Sequence, residues 1–382
     1  MENRGRTPMK YSNPLENTVF FNSVYRFHDL DAYENSIAEG EFIYARDGHP
    51  NAKILQTHLA EWEHCQWGLV TSSGMGAISS LIFAMLSSGK KLLAGMRLYG
   101  RTLKVFQKDL TRFGIQVTLV DECDLDAVQK ALQEKQDLFF LESITNPTLR
   151  VPPLLAIREL TREYGCLLAV DNTFASPVIF RPMDLGADFV LESLTKIICG
   201  HSDSTLGFVG GNAWKTEVTR SVCDLGFNAG PFDCHLLSRS LETLEMRVKR
   251  SCENARELAP WLNENYPALR VEYPGLKNHP DQVTAEQQMG ALPGHLLSVD
   301  IPGGREGVNR FLHAARDIPF CPSLGHSTTT CSHSWSTSHR QLEPEEKIRQ
   351  GITEGLLRVS LGLESQEKIR EEFAKGLKAA GT

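Results

Sequence analysis

The run Leu167-Leu168-Ala169-Val170-Asp171-Asn172-Thr173-Phe174 decides how this chain is read, together with Phe189-Val190-Leu191-Glu192-Ser193-Leu194-Thr195-Lys196 and Gly200-His201-Ser202-Asp203 behind it. Each run opens on a short, continuous apolar stretch, the pattern of a strand buried on both faces. Asp171 closes the first strand and Lys196 follows the second. A carboxylate and an amine are thereby expected at neighbouring strand ends, facing one crevice.

Working outward, further apolar runs stand at Leu92–Ala94, Val117–Val120, Leu138–Leu141 and Leu206–Val209, with helical segments such as Ile157–Tyr164 between several of them. Apolar strands alternating with helices predict a mostly parallel sheet covered on both faces. Ligands of such sheets bind beyond the carboxyl ends of the strands. Upstream, Leu55, Leu59 and Trp62 repeat at helical spacing, with Gly68 expected to end that helix. Gly74 is expected to open a second one through Ile78, Leu81 and Met85. The first forty residues, with Pro8, Pro14, Asn17 and Asn22, read as irregular. After about Gly230 a helical stretch is expected from Asp233 to about Glu264, then strands at Leu269–Tyr273, Leu296–Ile301 and Leu357–Leu361. A last helix buries Ile369, Phe373 and Leu377. The expected division is an N-terminal arm (1–45), a large domain (46–235) and a smaller C-terminal α+β domain (236–382).

Bulk properties narrow the function class. The 382 residues suffice for a large core, and 41% hydrophobic with 23% charged residues is the balance of a folded globular chain. The net charge of −7 has both signs interspersed, without a Lys/Arg run to suit nucleic acid or an acidic membrane surface. Met1 to Lys10 are polar, so no secretory signal is expected, and no stretch has the length of a membrane span. Nine scattered cysteines without a CxxC pair predict reduced thiols, mostly packing residues, in a cytoplasmic protein with no metal site.

A lysine amine can form an imine with the aldehyde of pyridoxal 5′-phosphate (PLP), and a carboxylate beside the pyridine nitrogen keeps the ring able to accept electrons. Lys196 and Asp171 supply that pair, and Ser193 and Thr195 flank the lysine with hydroxyls suited to a phosphate. Either residue alone would read as an ordinary strand-end acid or a solvated lysine. Ser72-Ser73-Gly74-Met75-Gly76 lies between a strand and a helix, where unpaired amides attract phosphate. By itself that motif is a plain helix cap.

With these motifs in hand, the chain resembles the Cys/Met-metabolism family of PLP enzymes, from about Thr7 to Leu377. The resemblance is carried, in order, by Tyr44-Ala45-Arg46, Ser73-Gly74-Met75, Tyr99-Gly100, Asn146-Pro147, Asp171-Asn172-Thr173-Phe174, the block from Ser193 to Asp203, Ser323-Leu324-Gly325 and Arg358. It implies the α/β fold-type-I aminotransferase architecture, with a mostly parallel seven-stranded sheet. It also implies a homotetramer, a dimer of dimers with active sites shared between subunits and an arm wrapping the neighbour. By the same resemblance Lys196 is the Schiff-base lysine and proton shuttle, Asp171 pairs with the ring nitrogen, and Tyr99 stacks on the ring and acts as a base. Gly74, Met75, Ser193 and Thr195 bind the phosphate, while Tyr44 and Arg46 reach that of the other subunit. Asn146 and Arg358 contact the cofactor O3′ and the substrate carboxylate, and Ser323 helps through its backbone. A guanidinium suits the carboxylate role, since it clamps one through parallel hydrogen bonds.

The sequence departs from the family where substrate is chosen. Thr328 stands where many members carry a glutamate, within the run Ser327-Thr328-Thr329-Thr330. His333-Ser334 replaces a common turn, whereas His339 keeps its place. His49 replaces an Asn, and Arg101 follows Tyr99-Gly100. Arg101 either faces the distal end of the substrate and favours an acidic group there, or points to solvent or an acidic side chain. The expected activity is β/γ-elimination or γ-replacement on sulfur- or oxygen-substituted amino acids. Two other readings are a biosynthetic PLP enzyme adding a carbon nucleophile to a vinylglycine-type intermediate, and a catalytically silent scaffold.

Overall fold

Strands β1 (Trp67–Thr71), β2 (Lys91–Gly95), β3 (Gln116–Val120), β4 (Leu138–Glu142), β5 (Leu167–Asp171), β6 (Phe189–Glu192) and β7 (Gly207–Gly211) pair into one sheet in the order β1-β7-β6-β5-β4-β2-β3. The computed structural model in which they are seen describes residues 18–382. Only β7 runs against the rest, antiparallel to both β1 and β6. The other pairs are parallel, from β2–β3 across to β5–β6. The fold class is therefore α/β fold type I, as expected.

The continuous apolar runs have a simple cause. In β4, Phe139 and Leu141 enter the core on one face while Leu138 and Phe140 enter the core on the other. Phe139 and Phe140 are each 0% exposed, and such burial stabilises by about 1.5–3 kcal/mol per side chain. A strand so covered cannot show the polar alternation of a half-exposed one.

A second sheet, β8 (Val271–Glu272), β9 (Leu296–Asp300), β10 (Thr330–His333) and β11 (Leu356–Ser360), is antiparallel throughout in the order β10-β11-β9-β8. Helices Gly304–Ala314 and Gln366–Ala380 cover it through Phe311, Ile369, Phe373 and Leu377. The helix Leu244–Asn265 joins the two units. Its Leu244, Val248 and Cys252 pack in the large-unit core, and its Ala255, Leu258 and Leu262 pack in the small one. The packing changeover thus lies near residue 253, later than the expected break at 235/236, because Cys234, Leu237 and Leu241 also pack on the large unit.

Several local expectations are corrected. Gly68 sits inside β1, and the preceding helix, Pro50–Trp62, has already ended. The N-terminal segment is not wholly irregular, since Leu30–Glu39 is a helix capped by the Asp29 side chain. Expectations on residues 1–17, including Pro8 and Pro14, lie outside the described residues. The stretch 233–264 is two helices, Pro231–Leu241 and Leu244–Asn265, parted at Glu242–Thr243. The strand expected at Leu269–Tyr273 shortens to β8, and β10 was not expected at all.

Candidate active site

The carboxyl ends of β4, β5 and β6 form the floor of a cavity of about 560 Å³, and the small unit supplies its far wall through β11 and the segment 322–342. Of the expected site residues, Gly74, Met75, Tyr99, Arg101, Asn146, Asp171, Ser193, Thr195, Lys196, Ser323 and Arg358 all line it. Tyr44 and Arg46 do not. Tyr44 forms an isolated bridge with Val24, and Arg46 lies over the Tyr44 ring at 5.4 Å.

Lys196 Nζ donates to Ser323 Oγ at 3.1 Å. Removal from water, reinforced by the nearby Arg358 charge, lowers its pKa to about 8, so neutral amine is readily available near physiological pH. Ser323 also accepts Arg358 Nη2 on its carbonyl at 2.9 Å, while Arg358 Nη1 donates to Asn146 Oδ1 at 2.8 Å. The guanidinium stands mid-strand in β11 and is 4% exposed, and burial lowers its pKa to about 10. Its Nε is buried without a hydrogen-bond partner among the described residues.

Asp171 Oδ1 accepts from the Thr173 amide at 3.0 Å and the Thr173 hydroxyl at 2.5 Å. Desolvation raises its pKa against the pull of those bonds, and no ion pair offsets it among the described residues. A protonated ring nitrogen would supply the missing counter-charge. At the opposite end of the cavity, Ser73 caps the helix Gly74–Met85, accepting the Gly76 amide on its Oγ at 3.0 Å. The amides of Gly74 and Met75 lie in the first turn, where the helix offers no carbonyl to accept them. A Cβ on Gly74 would come within 2.8 Å of Ser193 Cβ, so only glycine leaves the Ser193 hydroxyl room beside this turn. Amides and a hydroxyl in this arrangement fit a phosphate. Thr195 contributes differently from the expectation: its hydroxyl exchanges hydrogen bonds with the Leu206 backbone and braces the turn.

Thr328 is not part of the cavity lining. Its neighbour Thr329 explains the hydroxyl-rich run structurally, with its amide and hydroxyl bound to Glu364 and its Oγ1 accepting the Gly362 amide. Two acids escaped the sequence reading although β4 and β6 end in glutamate just as β5 ends in aspartate. Glu142, paired in register with Asp171, accepts the Tyr99 amide at 2.7 Å. Burial and the neighbouring Asp171 push its pKa well above the ordinary carboxylate value, and its bond to the Tyr99 amide positions that residue. Glu192 points to the other face of the sheet.

A lysine whose pKa is lowered by burial, an acid prepared for a cationic ring and a phosphate cradle, set at strand ends of this fold, define a PLP-dependent enzyme. Comparison with known proteins agrees. The family model described as Cys/Met metabolism PLP-dependent enzyme matches residues 3–378. The L-methionine gamma-lyase of Fusobacterium nucleatum subsp. polymorphum is 37% identical over 90% of this chain and 87% of its own. The O-succinylhomoserine sulfhydrylase of Pseudomonas aeruginosa is 36% identical over 88% and 84%. Among solved structures, cystathionine gamma synthase from Xanthomonas oryzae pv. oryzae in complex with cystathionine superposes with a TM-score of 0.90 at 32% identity, covering 96% of this chain and 93% of that one. The chain belongs to the Cys/Met-metabolism family of PLP-dependent enzymes. Its cofactor is pyridoxal 5′-phosphate, its substrate is an amino acid, and its chemistry is elimination or replacement of a side-chain substituent.

Proposed function

We propose that this enzyme acts at Cγ, eliminating or replacing a sulfur- or oxygen-linked group on a homoserine- or methionine-like amino acid. The observation that carries the reading is the Lys196 amine, desolvated and held by Ser323 beside Arg358. Two of the relatives are named for reactions at that carbon. When bound, the cofactor supplies an electron sink for charge developing at Cα. The protein does the rest. Arg358 grips the α-carboxylate through its remaining guanidinium donors, and so sets which Cα bond stands across the ring. Lys196 Nζ removes the Cα proton and then serves Cβ, since a γ-substituent leaves only after a Cβ proton has gone. Tyr99, fixed through its amide by Glu142 and lining the cavity, would help hold the ring and would take the proton of the incoming amine.

In this reading Asp171 pairs with the ring nitrogen and Asn146 with O3′. Ser193 and the amides of Gly74 and Met75 hold the phosphate. Tyr44 and Arg46 serve the cofactor of a neighbouring subunit in a homotetramer. The arm's exposed Phe21, Val24, Leu30 and Ile37 support such an assembly, because large apolar side chains left open on one chain suit a subunit contact. The unit boundaries are an arm to about residue 45, a large unit to about 253 and a small unit beyond. A cytoplasmic location accords with nine free thiols and with no helix among the described residues long and apolar enough to cross a membrane.

The test is a panel of O-acetyl-, O-succinyl- and O-phosphohomoserine, methionine, cystathionine and cysteine, with and without added thiol, products identified by mass. Release of 2-oxobutyrate and ammonia, or a thioether when thiol is present, is expected from at least one γ-substituted substrate. Pyridoxamine phosphate as the main product, or turnover of cysteine alone, would overturn the assignment to Cγ.

A further inference from the structure

Arg358 holds the α-carboxylate at the inner end of the cavity, so the far end of a bound side chain must meet the outer wall. Two segments build that wall: the turn Tyr99-Gly100-Arg101 and the segment from Ser336 to Leu342. They are in contact, for a Cβ on Gly100 would collide with the Ser338 carbonyl oxygen. Arg101 follows that point of contact directly, and Arg340 stands two residues beyond Ser338. Both line the cavity, and neither guanidinium has an ion pair or side-chain hydrogen bond among the described residues.

The acids do not balance them. Only Glu142 and Asp171 line the cavity, both on its floor at strand ends, with Glu142 bound to the Tyr99 amide. The outer wall therefore offers two permanent cations and no carboxylate, while the hydroxyls of Ser336, Thr337 and Ser338 are held by His333 and His339. We infer that Arg101 and Arg340 form a subsite for an anionic group at the distal end of the substrate side chain, a carboxylate or a phosphate ester. This rests on the amino-acid reading above and narrows it. A substrate ending in an ammonium would find no counter-charge there, and one ending in a methyl would leave both guanidiniums unused.

The holoenzyme can be titrated with three unreactive amino acids of similar reach, following the visible absorption of the bound cofactor. L-Norleucine ends in a methyl, L-2-aminoadipate in a carboxylate and L-2-amino-5-phosphonopentanoate in a phosphonate. At least one acidic ligand should bind about tenfold more tightly than norleucine, a difference of ~1.4 kcal/mol, and the better of the two names the group preferred. In the double variant Arg101→Gln, Arg340→Gln the ratio of dissociation constants should fall to near one, and in Arg101→Lys, Arg340→Lys it should be partly kept. Equal binding of all three ligands by the wild type, or a preference that survives the double Gln change, would overturn the subsite while leaving the amino-acid reading intact. If no ligand perturbs the cofactor spectrum, that reading fails and the subsite with it.

Discussion

His49 shows how a departure from a family pattern becomes a precise local device. It is 2% exposed and caps the helix Pro50–Trp62, its Nδ1 accepting the Ala52 amide at 3.1 Å while Nε2 meets the Ala229 carbonyl at 3.0 Å. One nitrogen must accept and the other donate, so the ring is neutral with its hydrogen on Nε2. Burial lowers its pKa, and a proton on Nδ1 would cancel the cap. His49→Ala should cost about 1–2 kcal/mol in urea unfolding of the holoenzyme, with His49→Asn losing less because an amide can still cap. The wild type binds fewer protons folded than unfolded at this site. Its advantage over His49→Asn is therefore present at neutral pH and shrinks as pH falls through the ordinary imidazole value of about 6.5. An advantage that grew on acidification would refute the neutral tautomer.

Element ends carry most of the chemistry here, and they also mark where the sequence could and could not be read. The strand-closing acid of β5 and the lysine after β6 were legible because continuous apolar runs stop at them. By the same signal Glu142 and Glu192 could have been found. Strand β10 could not, since Thr-Cys-Ser-His has no apolar period, although Cys331 packs in the small-unit core and the strand pairs with β11. The break at Glu242–Thr243 carries neither glycine nor proline; the buried Arg247 holds it by donating to the Ser240 carbonyl and the Thr243 hydroxyl. Glu192 also meets Glu63, the cap of the helix Pro50–Trp62, on the sheet face opposite Asp171. Both are at most 1% exposed, and Asn172 Nδ2 donates to Glu63 Oε1 at 3.1 Å. Two carboxyl groups in contact away from water cannot both ionise: burial pushes both pKa values up, the Glu63 charge adds to the rise at Glu192, and hydrogen bonds from Glu192 and Asn172 only partly offset it at Glu63, so the pair keeps a proton. Folded protein thus binds more protons here than unfolded protein. Stability from this pair is full below the ordinary carboxyl range and is lost as pH rises above it. Glu192→Gln should gain on the wild type in urea midpoint as pH is raised from 5 towards 8 (values set by the ordinary carboxyl pKa of about 4.3). A gap that instead narrows would show that the two groups ionise freely.

At the scale of the whole molecule, the cavity is assembled from both units of one chain. The large unit brings Lys196 and Asp171, the small unit brings Arg358 and Ser323, and the long helix Leu244–Asn265 locks the two together by packing in both cores. Tyr44 and Arg46 stand apart from this cavity with their side chains accessible, Tyr44 being 41% exposed. They follow an arm whose apolar side chains face outward. If these residues act across a two-fold interface, a subunit lacking Lys196 can still lend its Arg46, and a subunit lacking Arg46 can still use its own Lys196. Co-expression of Lys196→Ala and Arg46→Ala chains with different tags, followed by tandem purification of the hybrids, separates the alternatives. Each parent alone should be nearly inactive. Within a hybrid dimer one site carries both defects and the other carries neither, so about half of the wild-type activity per dimer should return. Should Arg46 serve its own chain, each hybrid site would keep one defect and the activity would stay at the mean of the parents.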